Sequence, residues 1–228
     1  MKKILFVTNR YPEIKNYSGD TLLAYNIVKY LRKKNIVDVV CTHNINRKNS
    51  IYKQKNGKIY LYKKNNIIVK LFYTFLSIIN LRPLQIGFFY SKEIKDFLSI
   101  NHKNYATIIF HTFRAAQYLP IDFKGKKILE MTDIMSDNYD QTKKKINILN
   151  PLYFLYSIES FLLKKYETYC FKIFNKIVLI ERLNIKSHFK TFREKIITIN
   201  IGINIKQKIF KFKKSNSLII FIGNVRYL

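Results

Sequence analysis

The first 42 residues contain the pattern that most restricts how this chain can fold. Residues 3–8, KILFVT, form a short apolar run, and residues 36–42, IVDVVCT, form another. A polar loop with Pro12 and Gly19 follows the first run, and the apolar residues of TLLAYNIVKYL then recur at roughly helical spacing. Continuous apolar strands are typical of parallel sheets covered on both faces. The pattern predicts a strand–helix–strand unit with a right-handed crossover.

Apolar runs and amphipathic segments continue to alternate along the rest of the chain, with no internal repeat. The predicted fold class is therefore α/β, a Rossmann-like parallel sheet with helices on both faces. We expect strands at 105–112, 126–133, 176–181, 195–202 and 218–222, one or two strands within 51–70, short helices at 114–119 and 182–190, and longer helices near 68–80, from Ser91, and over 150–175.

The chain is strongly basic, with a net charge of +28 from 42 Lys and Arg against 14 Asp and Glu. Such a charge attracts anions: nucleotide diphosphates, an anionic membrane face or nucleic acid. Solvated faces combined with biased codon usage explain part of it, a membrane surface ranks next, and nucleic acid ranks last, because no nucleic-acid-binding signature is present. No stretch reaches the roughly 18 apolar residues of a membrane span.

Cysteine and histidine usage argues for an intracellular protein without a metal centre. Cys41 and Cys170 are far apart in sequence and are predicted to be reduced, buried thiols of a cytosolic protein. The four histidines show no metal-ligand spacing, among themselves or with the cysteines. We therefore expect a cytoplasmic location and no metal.

Ligands of open parallel sheets bind beyond the carboxyl ends of the strands. The first such place is the loop 9–20, in which Gly19 would let backbone N–H groups approach an anionic or hydroxyl-bearing ligand at a helix start. Ser18 and Asp20 flank it as candidate N-caps. An ordinary turn and cap is the alternative, since the loop is neither a GxGxxG nor a Walker sequence.

Three further places follow from the same rule. His111, with Arg114 nearby, closes a predicted buried strand, although a lone histidine is often structural. Asp133 closes the next strand and is a candidate for binding a sugar hydroxyl or handling a proton, the alternative being a turn or cap residue. Glu181 ends the strand after the longest helix.

The order of these segments resembles a known family. KILFVTNRYPEIKNYSGDTLLAYNIVKYLRKKNIVDVVCT resembles the opening of the amino-terminal domain of GT-B glycosyltransferases of family 4. The segments RPLQIGFFYSKEIKDFL, IIFHTFRAAQYL, KILEMTDIMSDNY and ESFLLKKYETYCFKIFNKIVLIERLN are similar to a subgroup that builds bacterial surface polysaccharides. SLIIFIGNVRYL, at the end, looks like the first strand and loop of the carboxyl-terminal domain that binds the nucleotide sugar.

The resemblance implies transfer of a sugar from a nucleotide-sugar donor, a substrate and not a cofactor, to a glycan or lipid-linked acceptor held mainly by the amino-terminal domain. It implies catalytic roles for His111 and Asp133, and substrate binding by Ser18, Gly19, Asp20, Arg114 and Glu181. It also implies a domain at 1–205, with 206–228 forming a linker and the first strand of a second domain that is otherwise missing. We expect a peripheral position on the inner face of the membrane.

The sequence departs from the family at two of these positions. Asp20 stands where many relatives have a second glycine, and Ile180 stands where a serine usually precedes the acidic residue corresponding to Glu181. The acidic motif of the donor domain is absent. Two alternatives therefore stay open beside a glycosyltransferase: a catalytically inactive, truncated product or standalone binding module, and a basic nucleic-acid-binding protein.

Overall fold

The computed structural model describes residues 2–14, 18–46, 49–180 and 187–199. Within these ranges the strands form one sheet of eight members. They are β1 (Lys3–Val7), β2 (Ile36–His43), β3 (Asn49–Gln54), β4 (Gly57–Lys63), β5 (Thr107–His111), β6 (Lys126–Glu130), β7 (Lys176–Leu179) and β8 (Ile196–Thr198). Their spatial order is β3-β4-β2-β1-β5-β6-β7-β8.

Six α-helices accompany the sheet in the described ranges. They are α1 (Gly19–Leu31), α2 (Ile67–Ile79), α3 (Leu84–Phe88), α4 (Lys92–Asn101), α5 (Met135–Lys144) and α6 (Pro151–Ile173). Short 3-10 helices occupy His102–Asn104, Ala115–Tyr118 and Ser187–Lys195. No helix in these ranges is both long enough and apolar enough to cross a bilayer.

The sheet is buried on both faces, as its continuous apolar runs predict. Alternate residues of β1 enter separate cores: Leu5 and Val7 pack in one, and Ile4 and Phe6 pack in the other. The larger core contains residues of α4 and α6, and the smaller one contains residues of α1. The predicted α/β fold with a Rossmann-like sheet is therefore confirmed.

The strand order reverses direction at β1. From β1 the chain crosses through α1 to β2 on one side, and β5 pairs with the other side of β1 in parallel. Neighbouring crossovers therefore leave β1 in opposite directions, which opens a crevice beyond the carboxyl ends of β1 and β5. This switch point sets where a ligand of the sheet would lie.

The structure differs from the sequence expectations in three elements. β3 and β4 form an antiparallel hairpin at one edge, where only one or two strands of unspecified direction were expected. α3 and α5, which occupies Met135–Lys144, were not predicted. The predicted strand at 195–202 is present as β8 over its first part. The terminal strand and the proposed boundary at 205–206 lie outside the described residues.

Two buried carboxylates on α6 explain why these short helices form. Glu159 accepts hydrogen bonds from the backbone N–H groups of Leu84 and Gln85 at 2.8 and 3.3 Å, at the start of α3. Glu167 accepts one from Met135 N–H at 2.7 Å and one from the Ser136 hydroxyl at 2.6 Å, at the start of α5. Burial raises the pKa of Glu167 to about 7 in spite of these bonds. Both carboxylates satisfy helix N–H groups that lack partners inside their helix.

Gly87 permits the close contact between α3 and α2. A Cβ atom on this residue would lie 2.1 Å from the backbone oxygen of Tyr73, so no side chain larger than hydrogen fits without moving a helix. α3 thereby presents Gln85 and the following aromatic residues to the switch point. The fold thus positions a helix that the sequence pattern did not reveal directly beside the predicted ligand edge.

Candidate functional site

His111 lies at the end of β5 and joins three elements at the switch point. Its Nδ1 atom is hydrogen-bonded to the Glu130 carboxylate at the end of β6, and its Nε2 atom lies 3.0 Å from the backbone oxygen of Asp20 in α1. The ring also stacks on Phe6 of β1 with 5.7 Å between centroids. His111 and Glu130 are both buried. Both ring nitrogens therefore contact oxygen atoms of neighbouring elements, which fixes the orientation of the ring.

The residue after His111 adopts a strained backbone conformation. Thr112 has a φ of 68°, in the left-handed region that β-branched residues rarely occupy. Its N–H donates to the backbone oxygen of Glu130 at 2.8 Å, and its carbonyl accepts from Ala115 N–H at 3.1 Å. Such a conformation costs about 1–3 kcal/mol and is concentrated at functional sites. Here it turns the chain sharply out of β5 towards Arg114.

The start of α1 is organised by polar side chains from the loop 9–20. Thr21 Oγ1 accepts from the N–H of Ser18 at 2.9 Å, and Asp20 forms an ion pair with Arg10 at 3.3 Å. Partial burial acts to raise the pKa of Asp20, but the Ser18 hydroxyl and the Arg10 charge outweigh it, so the pKa is lowered. A Cβ atom on Gly19 would meet nothing within 4 Å. The first turn of α1 is therefore held firmly, while Gly19 itself faces open space.

Two arginines from opposite sides of the switch point share one aromatic ring. The guanidinium carbon of Arg114 lies 4.5 Å from the centroid of Phe89, and that of Arg10 lies 6.0 Å from it. Arg114 Nε also donates to Gln85 Oε1 at 3.0 Å. Burial lowers the pKa of Arg114, and the charge of Arg10 lowers it further. The Asp20 carboxylate, paired with Arg10, offsets part of this positive charge, and an anion in the crevice would offset more of it.

A cavity of about 480 Å³ opens beside this pair, beyond the ends of β1, β2 and β4. Its basic lining residues are Arg10, Lys64 and Lys70, and Glu13 is the carboxylate among the lining residues that the structure describes. Aromatic side chains of Tyr11, Phe88, Phe89 and Tyr90 form part of its wall. The size is within the usual range of about 300–1,000 Å³ for small-molecule sites.

The structure places the residues predicted from sequence at different distances from this cavity. Ser18 lines it, and Asp20 is paired with Arg10, a lining residue. Asp133 is the exposed residue of the loop after β6, and partial desolvation and the Glu130 charge raise the pKa of its carboxyl. Glu181 lies outside the described residues. The catalytic and binding roles of all these residues stay predictions.

Several residues of the site were not identified from sequence. Arg10 lies within the loop 9–20 but was not singled out, and Asn9, Lys64 and Lys70 were missed. The rule that ligands bind beyond strand ends could have identified Lys64, because it directly follows β4. Among the described residues, no group of histidine, cysteine and acidic side chains could hold a metal ion.

Comparisons with known proteins give information about the fold. No protein-family model matches this sequence, and no curated protein matches it. A solved structure of a sucrose-phosphate synthase from Thermosynechococcus elongatus has a TM-score of 0.52 at 8% identity, covering 89% of this chain and 91% of that one. A trehalose-6-phosphate synthase, OtsA, has a TM-score of 0.50 at 11% identity, covering 88% of this chain and 50% of that one.

The chain therefore spans about half the length of that trehalose-6-phosphate synthase. At these identities the likeness concerns the fold alone. The fold is therefore a Rossmann-like α/β half of the GT-B type, and Arg114 and Arg10 both lie beside Phe89 at its strand-end crevice. The GT-B part of the family resemblance is thus supported, whereas the surface-polysaccharide subgroup stays a prediction.

The His111–Glu130 pair should dominate the stability of this edge of the sheet. We expect Glu130→Ala to lower the free energy of unfolding by about 3 kcal/mol, because it leaves the buried His111 Nδ1 atom without its partner. Urea denaturation measures the change. The matched control is Asp122→Ala, which removes the carboxylate bound to His102. Although the His102 side chain is buried, Asp122 is 60% exposed, so water can take the place of its carboxylate beside Nε2 and its loss should cost under about 1 kcal/mol. Equal losses in the two variants would contradict a special role for the buried pair.

Proposed function

We propose that this chain is the acceptor-side domain of a glycosyltransferase. It would transfer a sugar from a nucleotide-sugar donor to a glycan or lipid-linked acceptor in bacterial cell-surface polysaccharide biosynthesis. The observation that carries the proposal is the arginine pair at the switch point of a GT-B half, with Arg10 and Arg114 on the same Phe89 ring. The ordered sequence resemblance to family 4 supports the finer assignment to surface polysaccharides.

The site residues divide into anion-binding and positioning groups. Arg10 and Arg114 provide fixed positive charge, which would stabilise negative charge as it develops on a departing nucleotide diphosphate. Gly19 leaves room for a phosphate or sugar to approach the α1 backbone, where N–H groups at a helix start favour anions. His111 fixes the start of α1 through the Asp20 carbonyl, 3.0 Å from Nε2.

Asp133 is the proposed proton-handling group. Its raised pKa and its exposed position at the carboxyl end of β6 suit a carboxyl that exchanges protons with a substrate hydroxyl. His111 would contact the transferred sugar only if its Nε2 atom released the Asp20 carbonyl, because both ring nitrogens are already bonded. Its catalytic role is therefore proposed to be coupled to movement of the first turn of α1.

Acceptor-dependent release of a nucleoside diphosphate tests the transferase proposal. The full chain is incubated with a panel of nucleotide sugars, with and without a lipid and glycan extract of the producing cells. We expect release that requires the extract and falls at least tenfold in Arg114→Gln, with Lys103→Gln, an exposed lysine, as the charge-matched control. An unchanged rate with and without extract would contradict transfer and favour the inactive binding module.

A membrane surface is the proposed source of a lipid-linked acceptor. α2 exposes an apolar face of seven large side chains: Ile67, Ile68, Leu71, Phe72, Phe75, Ile78 and Ile79. Residues 64–92 contain four basic residues and no Asp or Glu. An amphipathic helix of this kind, flanked by cations, can lie in the interface of an anionic bilayer. Lys70 of α2 also lines the cavity, so such a bilayer would meet the mouth of the site.

Liposome sedimentation tests this membrane proposal. The wild-type chain should bind vesicles that contain phosphatidylglycerol at low salt, and Phe72→Ser/Phe75→Ser should reduce the bound fraction several-fold because it interrupts the α2 apolar face. The control Ile100→Ser/Ile121→Ser changes two apolar residues outside α2, exposed by 76% and 99%, and should bind like the wild type. Failure of the wild type to bind, or equal loss in both variants, would disprove the proposed docking face.

A further inference from the structure

The 480 Å³ cavity has features of a ligand-binding site that go beyond the pair of arginines at the switch point. We call it the cationic pocket and define it by Asn9, Arg10, Lys64, Lys70 and Phe88 among its lining residues. It is formed by the ends of β1, β2 and β4 together with the starts of α1 and α2. It therefore lies on the β2 side of the switch point, whereas Arg114 and His111 belong to the β5 side.

The side chain of Asn9 gives the first indication that the cationic pocket binds a ligand. The residue is 7% exposed, and neither its Oδ1 nor its Nδ2 atom has a hydrogen-bond partner in the described part of the chain. Its backbone is fixed, because its carbonyl accepts from the Thr42 hydroxyl at 2.7 Å. A buried side-chain amide without partners is rare and costs about 1–3 kcal/mol. Its free donor and free acceptor match a hydroxyl group, which can both accept and donate.

The charges in the pocket supply a second and independent sign. Burial lowers the pKa of Lys64, and the neighbouring charges of Arg10 and Lys70 lower it further. Glu13 opposes this effect but does not reverse it. Lys70 lies over the Phe88 ring at 5.0 Å, which holds its ammonium group at the pocket wall. Three cations held together against their mutual repulsion are stabilised when an anion with several charges binds between them.

We propose that the cationic pocket binds a phosphorylated sugar. The phosphate would lie among Lys64, Lys70 and Arg10, and a sugar hydroxyl would pair with the Asn9 amide. Phosphate is favoured over a carboxylate because its doubly charged form offers three oxygens to three cations. The aromatic wall suits the apolar face of a sugar ring. The identification of this ligand as the transferase acceptor rests on the proposed function. The binding site itself is inferred without it.

Calorimetric titration of the full chain tests the pocket. The probes are glucose 1-phosphate, inorganic phosphate and glucose at constant ionic strength, and thermal melting confirms that each variant is folded. We expect glucose 1-phosphate to bind at least tenfold more tightly than glucose, and Lys64→Gln to weaken it at least tenfold. Asn9→Ala should weaken glucose 1-phosphate but leave inorganic phosphate unchanged. Lys103→Gln, at an exposed lysine outside the pocket, should leave all three probes unchanged.

Three results would overturn the proposal: no binding of either phosphate probe, equal affinity for glucose and glucose 1-phosphate, or equal weakening by Lys64→Gln and Lys103→Gln. Vesicles of phosphatidylcholine with phosphatidic acid identify the source of the phosphate. Lys64-dependent binding to these vesicles assigns the pocket to a lipid phosphate, and Lys64-dependent binding of glucose 1-phosphate alone assigns it to a soluble sugar phosphate. If neither vesicle binding nor glucose 1-phosphate binding depends on Lys64, the proposed site is wrong.

The same variants separate this proposal from the proposed transferase. Lys64-dependent phosphate binding without acceptor-dependent nucleotide release would retain the pocket and reject the enzyme. Acceptor-dependent release that Lys64→Gln leaves unchanged would retain the enzyme and reject the pocket as its acceptor site.

Discussion

The contact on which the ligand edge depends is the buried His111 ring between the Glu130 carboxylate and the Asp20 carbonyl. One side chain thereby connects β5, β6 and α1 at the place where the strand order reverses. This contact fixes the first turn of α1 to the sheet, in addition to the packing of Ala24 and Val28 in the smaller core. Arg10 is tied to that turn through Asp20, so its position beside Phe89 depends on the same contact. The geometry of the site therefore depends on the contacts that His111 makes at the switch point.

The distribution of the few carboxylates explains why this edge is basic. Asp38 is buried and accepts from Lys58 N–H at 2.8 Å and from the Tyr105 hydroxyl at 2.9 Å. Glu159 and Glu167 are buried as well, and each receives backbone N–H groups at a helix start. These carboxylates stabilise the fold and do not face the cavity. The positive charge of Arg10, Lys64 and Lys70 is consequently opposed there by two carboxylates, Asp20, which pairs with Arg10, and Glu13, which lines the cavity.

The sequence predicted the parallel part of the sheet well, because apolar runs at residues 3–8, 36–42 and 105–112 can only be buried on both faces. It did not predict α5. Residues Met135–Lys144 have little apolar periodicity, and the helix begins where the distant Glu167 accepts its N–H groups. That partner is on α6, so no local pattern could reveal it. Tertiary contacts overrode local propensity in this segment.

The candidate site, like the fold, could be predicted from the sequence only in part. The rule for strand ends selected Ser18, Asp20, His111 and Arg114, and the structure brings all four to the switch point. Lys64 was missed although it directly follows a strand, and Lys70, within a helix, is not distinctive in a chain with 42 Lys and Arg. The stacking of two guanidinium groups on Phe89 also required the fold, since α3 supplies Gln85 and directly precedes that ring.

Hydrogen–deuterium exchange measures the central claim, that ligands of this fold bind at the switch-point edge. The full chain is compared with and without a saturating nucleotide sugar plus the acceptor extract. The account predicts slower exchange at the backbone amides of 8–14, 18–24 and 111–118, and unchanged exchange at the β3–β4 turn, residues 54–57, at the end of β4 remote from the pocket. Protection spread over the lysine-rich surface, with none at the start of α1, would contradict it.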